Sequence, residues 1–184
     1  MNKIIAVVGM CGSGKSIASD YYEKLGFKKV YFGGVTMEKV KEAGLPVNES
    51  NERMIRENLR KEYGMGAYAI ILLPRIEEYA KEGNVILDGL YSWDELKILK
   101  DKFKDNLVVL AIVVNKKERY NRLLEREIRP LNNIDAEKRD IAEIENLAKG
   151  GPIVFADYYI LNNNDMEKYI SDLDEITKEI LSWY

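Results

Sequence analysis

An α/β fold built on a parallel sheet is what this chain of 184 residues predicts, and three observations carry it. Apolar strand-like runs alternate with amphipathic helical stretches along the length, the pattern of strand-to-helix crossovers. The first run, Lys3 to Val8, is rich in branched apolar side chains, as suits a strand buried on both faces. It leads into Gly9-Met10-Cys11-Gly12-Ser13-Gly14-Lys15-Ser16, a complete G-x-x-x-x-G-K-S loop. Ile17, Ala18, Tyr21, Tyr22 and Leu25 then recur at helical spacing, up to a stop at Gly26.

The later elements follow the same reading. Strands are expected at Lys29–Phe32, Val85–Asp88, Leu107–Val114 and Tyr158–Leu161. The Gly33–Gly83 segment holds two or three helices, broken at Gly44-Leu45-Pro46, at Gly64-Met65-Gly66 and at Pro74. Such an insertion is either a substrate-binding flap or a plain packed layer. Ser92-Trp93-Asp94-Glu95 reads as a capping box opening a helix to Phe103. Asn115 is an N-cap for Lys116–Ile128, and Ala136–Lys149 stops at Gly150-Gly151. A last helix, Met166–Tyr184, sets Met166, Ile170, Leu173, Ile176 and Ile180 on one face.

Composition narrows the chemistry. Hydrophobic residues make up 46% and charged residues 32%, ordinary for one enzyme-like domain over residues 1–184. A net charge of −3 supplies no basic field, so no nucleic-acid partner is expected. No stretch is long and apolar enough for a membrane span, and the N-terminus lacks a signal-peptide pattern. A single cysteine, Cys11, excludes an intrachain disulfide and a four-cysteine zinc site and points to the cytoplasm. Cys11 is either a small filler within the loop or a redox switch. The count of histidines is 0, which removes every mechanism that needs an imidazole. Phosphoryl transfer loses little by this, since it rests on positioning and electrostatics.

Four groups of residues carry that chemistry. The loop's backbone N–H groups cradle phosphate oxygens, which assigns the donor nucleotide to Gly9, Cys11, Gly12, Ser13, Gly14, Lys15 and Ser16, with Ile17 beside them. Lys15 reaches the β- and γ-phosphates, and the Ser16 hydroxyl ligates Mg²⁺. Asp88 ends an apolar strand at the crevice where α/β sheets bind ligands. There it would hold Mg²⁺ directly or through water, or else only start a turn with Gly89. Arg119, Arg122, Arg126 and Arg129 are spaced three, four and three apart, on one helical face ended by Pro130. Either Arg122, Arg126 and Arg129 form a lid gripping the transferring phosphoryl group, with Arg139 and Asp140 on its far side, or Glu118 and Glu125 merely pair the stripe. Arg53, Arg56 and Arg60, with Lys61, form a second stripe among Glu49, Glu52, Glu57 and Glu62. Arg53 and Arg60 are assigned to the acceptor's phosphate, the alternative being a solvated charged helix. Gly33-Gly34 would admit a substrate to the backbone, Tyr91 and Trp93 would offer a stacking surface, and Asn162 of Asn162-Asn163-Asn164 would meet a nucleobase. Each of these could equally be turn or filler.

Taken together, these residues resemble the P-loop nucleotide kinases, the nucleoside monophosphate kinase-like group that includes dephospho-CoA kinase. Gly9–Ser16 matches that group's phosphate loop, Val85–Gly89 its apolar strand ending in Asp-Gly, and Arg119–Asp140 its arginine-bearing lid. Ala156-Asp157-Tyr158, Ile160 and Asn162 are similar to the final strand and adenine-side loop of dephospho-CoA kinases. The resemblance implies a three-layer fold with a five-stranded parallel sheet in the order 2-3-1-4-5. It also implies ATP with Mg²⁺ as donor, a helical acceptor flap at 34–83, a lid at 119–140 and a nucleotide-like small-molecule acceptor. The protein would be a monomer or small homo-oligomer. Two places depart from the pattern. Leu90-Tyr91-Ser92 stands where monophosphate kinases carry an arginine, and Gly33-Gly34 where dephospho-CoA kinases carry an aspartate. The rival expectations are a dephospho-CoA kinase acting on a ribose hydroxyl and a nucleotide-dependent switch transferring only to water.

Overall fold

Branched apolar side chains decide the centre of the sheet. The computed structural model describes residues 2–182. Its elements run β1 (Ile4–Val8), α1 (Lys15–Lys24), β2 (Lys28–Tyr31), α2 (Phe32–Glu42), α3 (Glu49–Tyr63), α4 (Ala67–Glu82), β3 (Val85–Asp88) and α5 (Trp93–Phe103). They continue as β4 (Leu107–Val113), α6 (Lys116–Glu125), α7 (Asn133–Leu147), α8 (Gly150–Val154), β5 (Tyr158–Leu161) and α9 (Met166–Ser182). The five strands form one parallel sheet in the order β2-β3-β1-β4-β5, as the resemblance implied. All five residues of β1 are buried, which is why this run takes the middle position.

The period of two divides the core between two layers. Ile4, Ala6 and Val8 face the side covered by α2, α4 and α5, where Phe32, Val35, Leu72, Ile76, Leu96 and Leu99 pack on them. Ile5 and Val7 face the other side, against Ala18 and Tyr22 of α1 and Tyr169, Leu173 and Ile180 of α9. Asp157 extends the β4–β5 pairing: its carboxylate accepts the Val109 N–H at 2.7 Å while its own N–H donates to Val109 O at 2.9 Å. Register aligns the carboxyl ends. Val7 and Tyr31 both stand beside Asp88, so the loop after β1, the end of β3 and the start of α2 open on one edge.

Several local expectations need correction. Pro74 does not break a helix. It lies inside α4, where burial of Ala67, Tyr68, Ala69, Leu72 and Ile76 outweighs the roughly 3 kcal/mol that an interior proline costs. Gly150-Gly151 opens α8 instead of ending the preceding helix, which stops at Leu147 with Ala148 in the left-handed region. The helix from Lys116 ends at Glu125, short of Ile128: Arg126 is extended, and Leu131 N–H folds back to Leu123 O at 2.9 Å. Leu131 thereby packs against Tyr120, Leu123 and Ala136. In α9 Met166 is exposed, and Tyr169 and Thr177 join Leu173 and Ile180 on the buried face. Trp183 and Tyr184 of that predicted helix lie outside the described residues.

The predicted capping box is formed and anchors α5. Ser92 Oγ accepts the Glu95 N–H at 3.0 Å and donates to Met65 O at 2.9 Å, joining this cap to the α3–α4 turn. Glu95, 1% exposed, accepts the N–H groups of Tyr91 at 2.9 Å and Ser92 at 3.0 Å. Burial pushes its carboxyl up from 4.5 to about 7, against the pull of those N–H groups and of Arg60. A folded-state carboxyl above its unfolded value stabilises the fold fully below the unfolded value, and that contribution is lost as pH rises toward the folded one. Glu95→Gln keeps an acceptor for both N–H groups and cannot ionise. Urea unfolding is expected to find the variant close to the natural protein at pH ~5 and more stable by on the order of 1–3 kcal/mol at pH ~8. An identical difference at both pH values would refute this account.

Candidate active site

The turn after β1 is shaped by glycine. Gly9 has φ 149, and a Cβ there would strike Ile112 O and stand 2.6 Å from Ser13 Oγ. Gly14 has φ 97 and abuts the Asn162 amide, 2.6 Å from where its Cβ would be. Side chains around the loop bind its carbonyl oxygens. Lys15 Nζ donates to Met10 O at 2.9 Å, Arg119 Nη1 to Cys11 O at 3.0 Å, Asn162 Nδ2 to Ser13 O at 3.0 Å and Tyr169 Oη to Gly14 O at 3.0 Å. Within the loop the Ser13 N–H donates to Met10 O at 3.2 Å and the Ile17 N–H to Gly14 O at 3.1 Å. The N–H groups of Lys15 and Ser16 open α1, where a helix start leaves donors free, and no acidic residue lies in its first turn. A compact concavity of N–H donors at a helix N-terminus is an anion site.

The charged groups around it are perturbed. Burial, and next the nearby Lys149 ammonium, lower the Lys15 pKa from 10.5 to about 8. Asp88, partly buried at the end of β3, is raised by desolvation, with Lys29 and Lys15 pulling the other way. Lys149 is 2% exposed and donates to Glu143 Oε2 at 2.6 Å. Burial alone would raise Glu143, but Lys149 and Arg139 hold it below 4.5.

Beside the loop lies a cavity of about 690 Å³, within the range of small-molecule sites. Tyr31, Phe32, Tyr68 and Tyr91 supply its rings; Arg56, Arg60, Arg129 and Arg139 its guanidinium groups; Glu49, Glu52 and Glu143 its carboxylates. Arg56 is paired with Glu49 at 2.7 Å, and Arg129 reaches Glu52 at 3.6 Å from across the opening. Arg139 pairs with Glu143 at 3.1 Å. Arg60 differs: its guanidinium lies 5.9 Å from the Tyr68 ring centre, and its charge acts on the buried Glu95 carboxyl behind the cavity wall.

The sequence-predicted residues separate accordingly. Gly9, Cys11, Gly12, Ser13, Gly14, Lys15, Ser16 and Ile17 lie together in the loop and first turn of α1. Gly33, Arg60 and Tyr91 line the cavity, but Arg53 does not: it is exposed and pairs with Glu57 at 2.8 Å, while Arg56, one turn on, turns inward. The four-arginine face is not formed, because the helix ends before Arg126. Arg119 is buried, forming a two-point ion pair with Asp140 at 3.1 and 2.6 Å. Arg122 donates to Asn162 O at 2.9 Å, and Arg126 to Arg129 O at 2.6 Å. The Asn162 side chain braces the loop, 5% exposed, instead of facing outward to a base. Trp93 packs on Phe155 at 5.4 Å and on Gly151, away from the cavity. Lys149 and Glu143 were missed. A lysine near a helix end before Gly-Gly carries no local signal of burial.

Comparison with known proteins places the fold and the family. Residues 5–156 match the family described as an AAA domain, AAA_18. A UPF0200 protein of Thermococcus kodakarensis is 32% identical over 183 residues, covering 97% of this chain and 98% of the relative. One from Sulfurisphaera tokodaii is 35% identical over 187 residues, covering 97% and 98%. Shikimate kinase from Bacteroides thetaiotaomicron aligns with a TM-score of 0.60 at 15% identity, over 97% of this chain and 98% of that one. Shikimate kinase from Acinetobacter baumannii, in complex with shikimate, aligns with a TM-score of 0.60 at 17% identity, over 99% and 94%. At such identities the likeness to the two kinases is one of fold. The chain has the fold of the P-loop kinases and belongs to the AAA domain family, with the UPF0200 proteins among its relatives.

Proposed function

We propose that the protein is an ATP-dependent kinase that transfers the γ-phosphoryl group to a nucleotide-like acceptor. The carrying observation is that the loop lies within electrostatic reach of a cavity walled by aromatic rings and guanidinium groups: Glu143 and Arg139 of its wall act on Lys15 and Cys11 of the loop. A nucleotide-like acceptor has both features those walls complement, a flat ring and a phosphate.

In this reading an acceptor oxygen attacks the γ-phosphorus. The new O–P bond forms as the bond from that phosphorus to the β–γ bridging oxygen breaks, and ADP leaves with that oxygen. The loop N–H groups and Lys15 stabilise charge on the transferring and leaving oxygens. The Ser16 hydroxyl and Asp88 fit Mg²⁺, which arrives with phosphates and water and takes only one or two protein ligands; Mg²⁺ would neutralise charge building between the β- and γ-phosphates. Residues 34–83 serve as the acceptor flap and 119–140 as the lid, with Arg122, Arg126 and Arg129 closing when nucleotide binds. Arg60, which lines the cavity beside the Tyr68 ring, takes the acceptor phosphate. The single cysteine suits a cytoplasmic setting, and no helix among the described residues is long and apolar enough to cross a membrane.

The direct test is incubation with ATP and Mg²⁺ alone, with nucleoside monophosphates, and with dephospho-CoA. Transfer to a monophosphate is expected; turnover that no acceptor stimulates would identify a switch NTPase instead. Lys15→Ala is expected to lower transfer roughly 10²–10³-fold while circular dichroism and melting temperature stay close to the natural protein's. An unaltered rate would sink the assignment. Arg60→Ala, removing a hydrogen bond to a charged group, is expected to raise acceptor KM about 10- to 100-fold with little effect on KM for ATP. Equal effects on the two constants would remove Arg60 from the acceptor site.

A further inference from the structure

Lys149 is among the largest fully buried side chains of the protein, yet it carries a charge. A buried ion pair is a weak source of stability, because desolvation of both charges offsets their attraction. Apolar side chains of similar volume would serve a purely structural purpose at least as well. The helix end aims Lys149 inward: Ala148 is the left-handed C-cap of α7, φ 48, and the Lys149 N–H closes that cap on Glu143 O at 3.3 Å, setting the lysine over the same glutamate its ammonium reaches.

The pair lies between two functional regions. Glu143 holds Lys149 through Oε2 at 2.6 Å and Arg139 through Oε1 at 3.1 Å. The Lys149 ammonium also sits 4.6 Å from the centre of the Tyr91 ring, a cation–π distance. Arg139, Glu143 and Tyr91 all line the cavity, while the same ammonium is near enough to act on Lys15 of the loop. Tyr91 is fixed from the other side as well, its N–H donating to Glu95 at 2.9 Å. Two cations share one carboxylate, so the group carries an excess positive charge toward the cavity. With Arg139 Nε engaged by Glu143, its terminal amino groups remain for the oxygens of a ligand.

We propose that Lys149 is a positioning residue for the acceptor, setting Arg139 through Glu143 and the Tyr91 ring through direct contact, so that an anionic ring-bearing molecule binds beside the phosphate loop. The inference rests on the kinase reading above and adds a specificity device to it. Lys149→Met keeps the volume and removes the charge; Lys149→Arg keeps the charge.

The test measures calorimetric binding of nucleoside monophosphates in the presence of a non-hydrolysable ATP analogue, initial rates, and melting temperature for each variant. Lys149→Met is expected to weaken acceptor binding and raise acceptor KM by about tenfold or more, with the analogue's Kd changed by less than about threefold. Its melting temperature falls, because Glu143 keeps only Arg139 as a partner, so binding is measured well below it, and Lys149→Arg recovers most of the acceptor affinity. Acceptor binding by Lys149→Met equal to the natural protein's would overturn the inference alone. So would an equal loss of affinity for the ATP analogue, which is the signature of a structural role. A natural protein that neither binds nor phosphorylates any monophosphate overturns the kinase reading, and this inference with it. If Lys149→Met folds poorly by circular dichroism, Glu143→Gln carries the same test, with the same acceptor-specific loss expected and the same unchanged affinity overturning the proposal.

Discussion

The phosphate loop is held open by hydrogen bonds to its carbonyl oxygens, and the rest of the structure is arranged to supply them. Besides Lys15 of the loop itself, the donors are Arg119 from α6, Asn162 just after β5 and Tyr169 from α9. Each is brought to the loop by the sheet order. β4 and β5 lie on one side of β1, so the segments that follow them open at the same end as Gly9. Loss of these donors would leave carbonyl groups competing for the same concavity that the N–H groups line. An anion site built from backbone depends on such outward ties, because each peptide presents both a donor and an acceptor.

Arg119 also couples the loop to the segment beyond it. Its guanidinium spans Cys11 O and the Asp140 carboxylate, linking the loop to α7 as well as to its own helix α6. A buried guanidinium is tolerable when planar donors meet planar acceptors in this way. Arg126 and Arg129 stand on an irregular loop beyond the last turn of α6. Arg129 bridges toward Glu49 and Glu52 of α3, so the loop after α6 and the helix α3 face each other across the cavity.

Legibility in the sequence followed the range of the interaction. The strands were readable because apolar runs of fixed period report burial, and β3 and β5 run over the residues expected. The Ser92–Glu95 capping box was readable because donor and acceptor lie three residues apart. Helix ends were less so. Spacing placed Arg126 and Arg129 on a helical face, but the packing of Leu131 against Tyr120 and Leu123 draws the chain out of the helix first. Arg53 and Arg56 both fit the stripe reading, and only the position of α3 over the cavity separates the exposed one from the inward one.

The sequence by itself determined the phosphate loop, the strand that carries it, Asp88 at the end of a neighbouring strand and the absence of any imidazole chemistry. All of these are local patterns or simple counts. Tertiary structure alone decided that Asn162 braces the loop, that Arg119 is a structural guanidinium and that Lys149 and Glu143 lie buried between loop and cavity. The physical reason is distance along the chain. Asn162 meets Ser13 across 149 residues and Arg119 meets Cys11 across 108, and no periodicity within a helix or strand encodes contacts of that span.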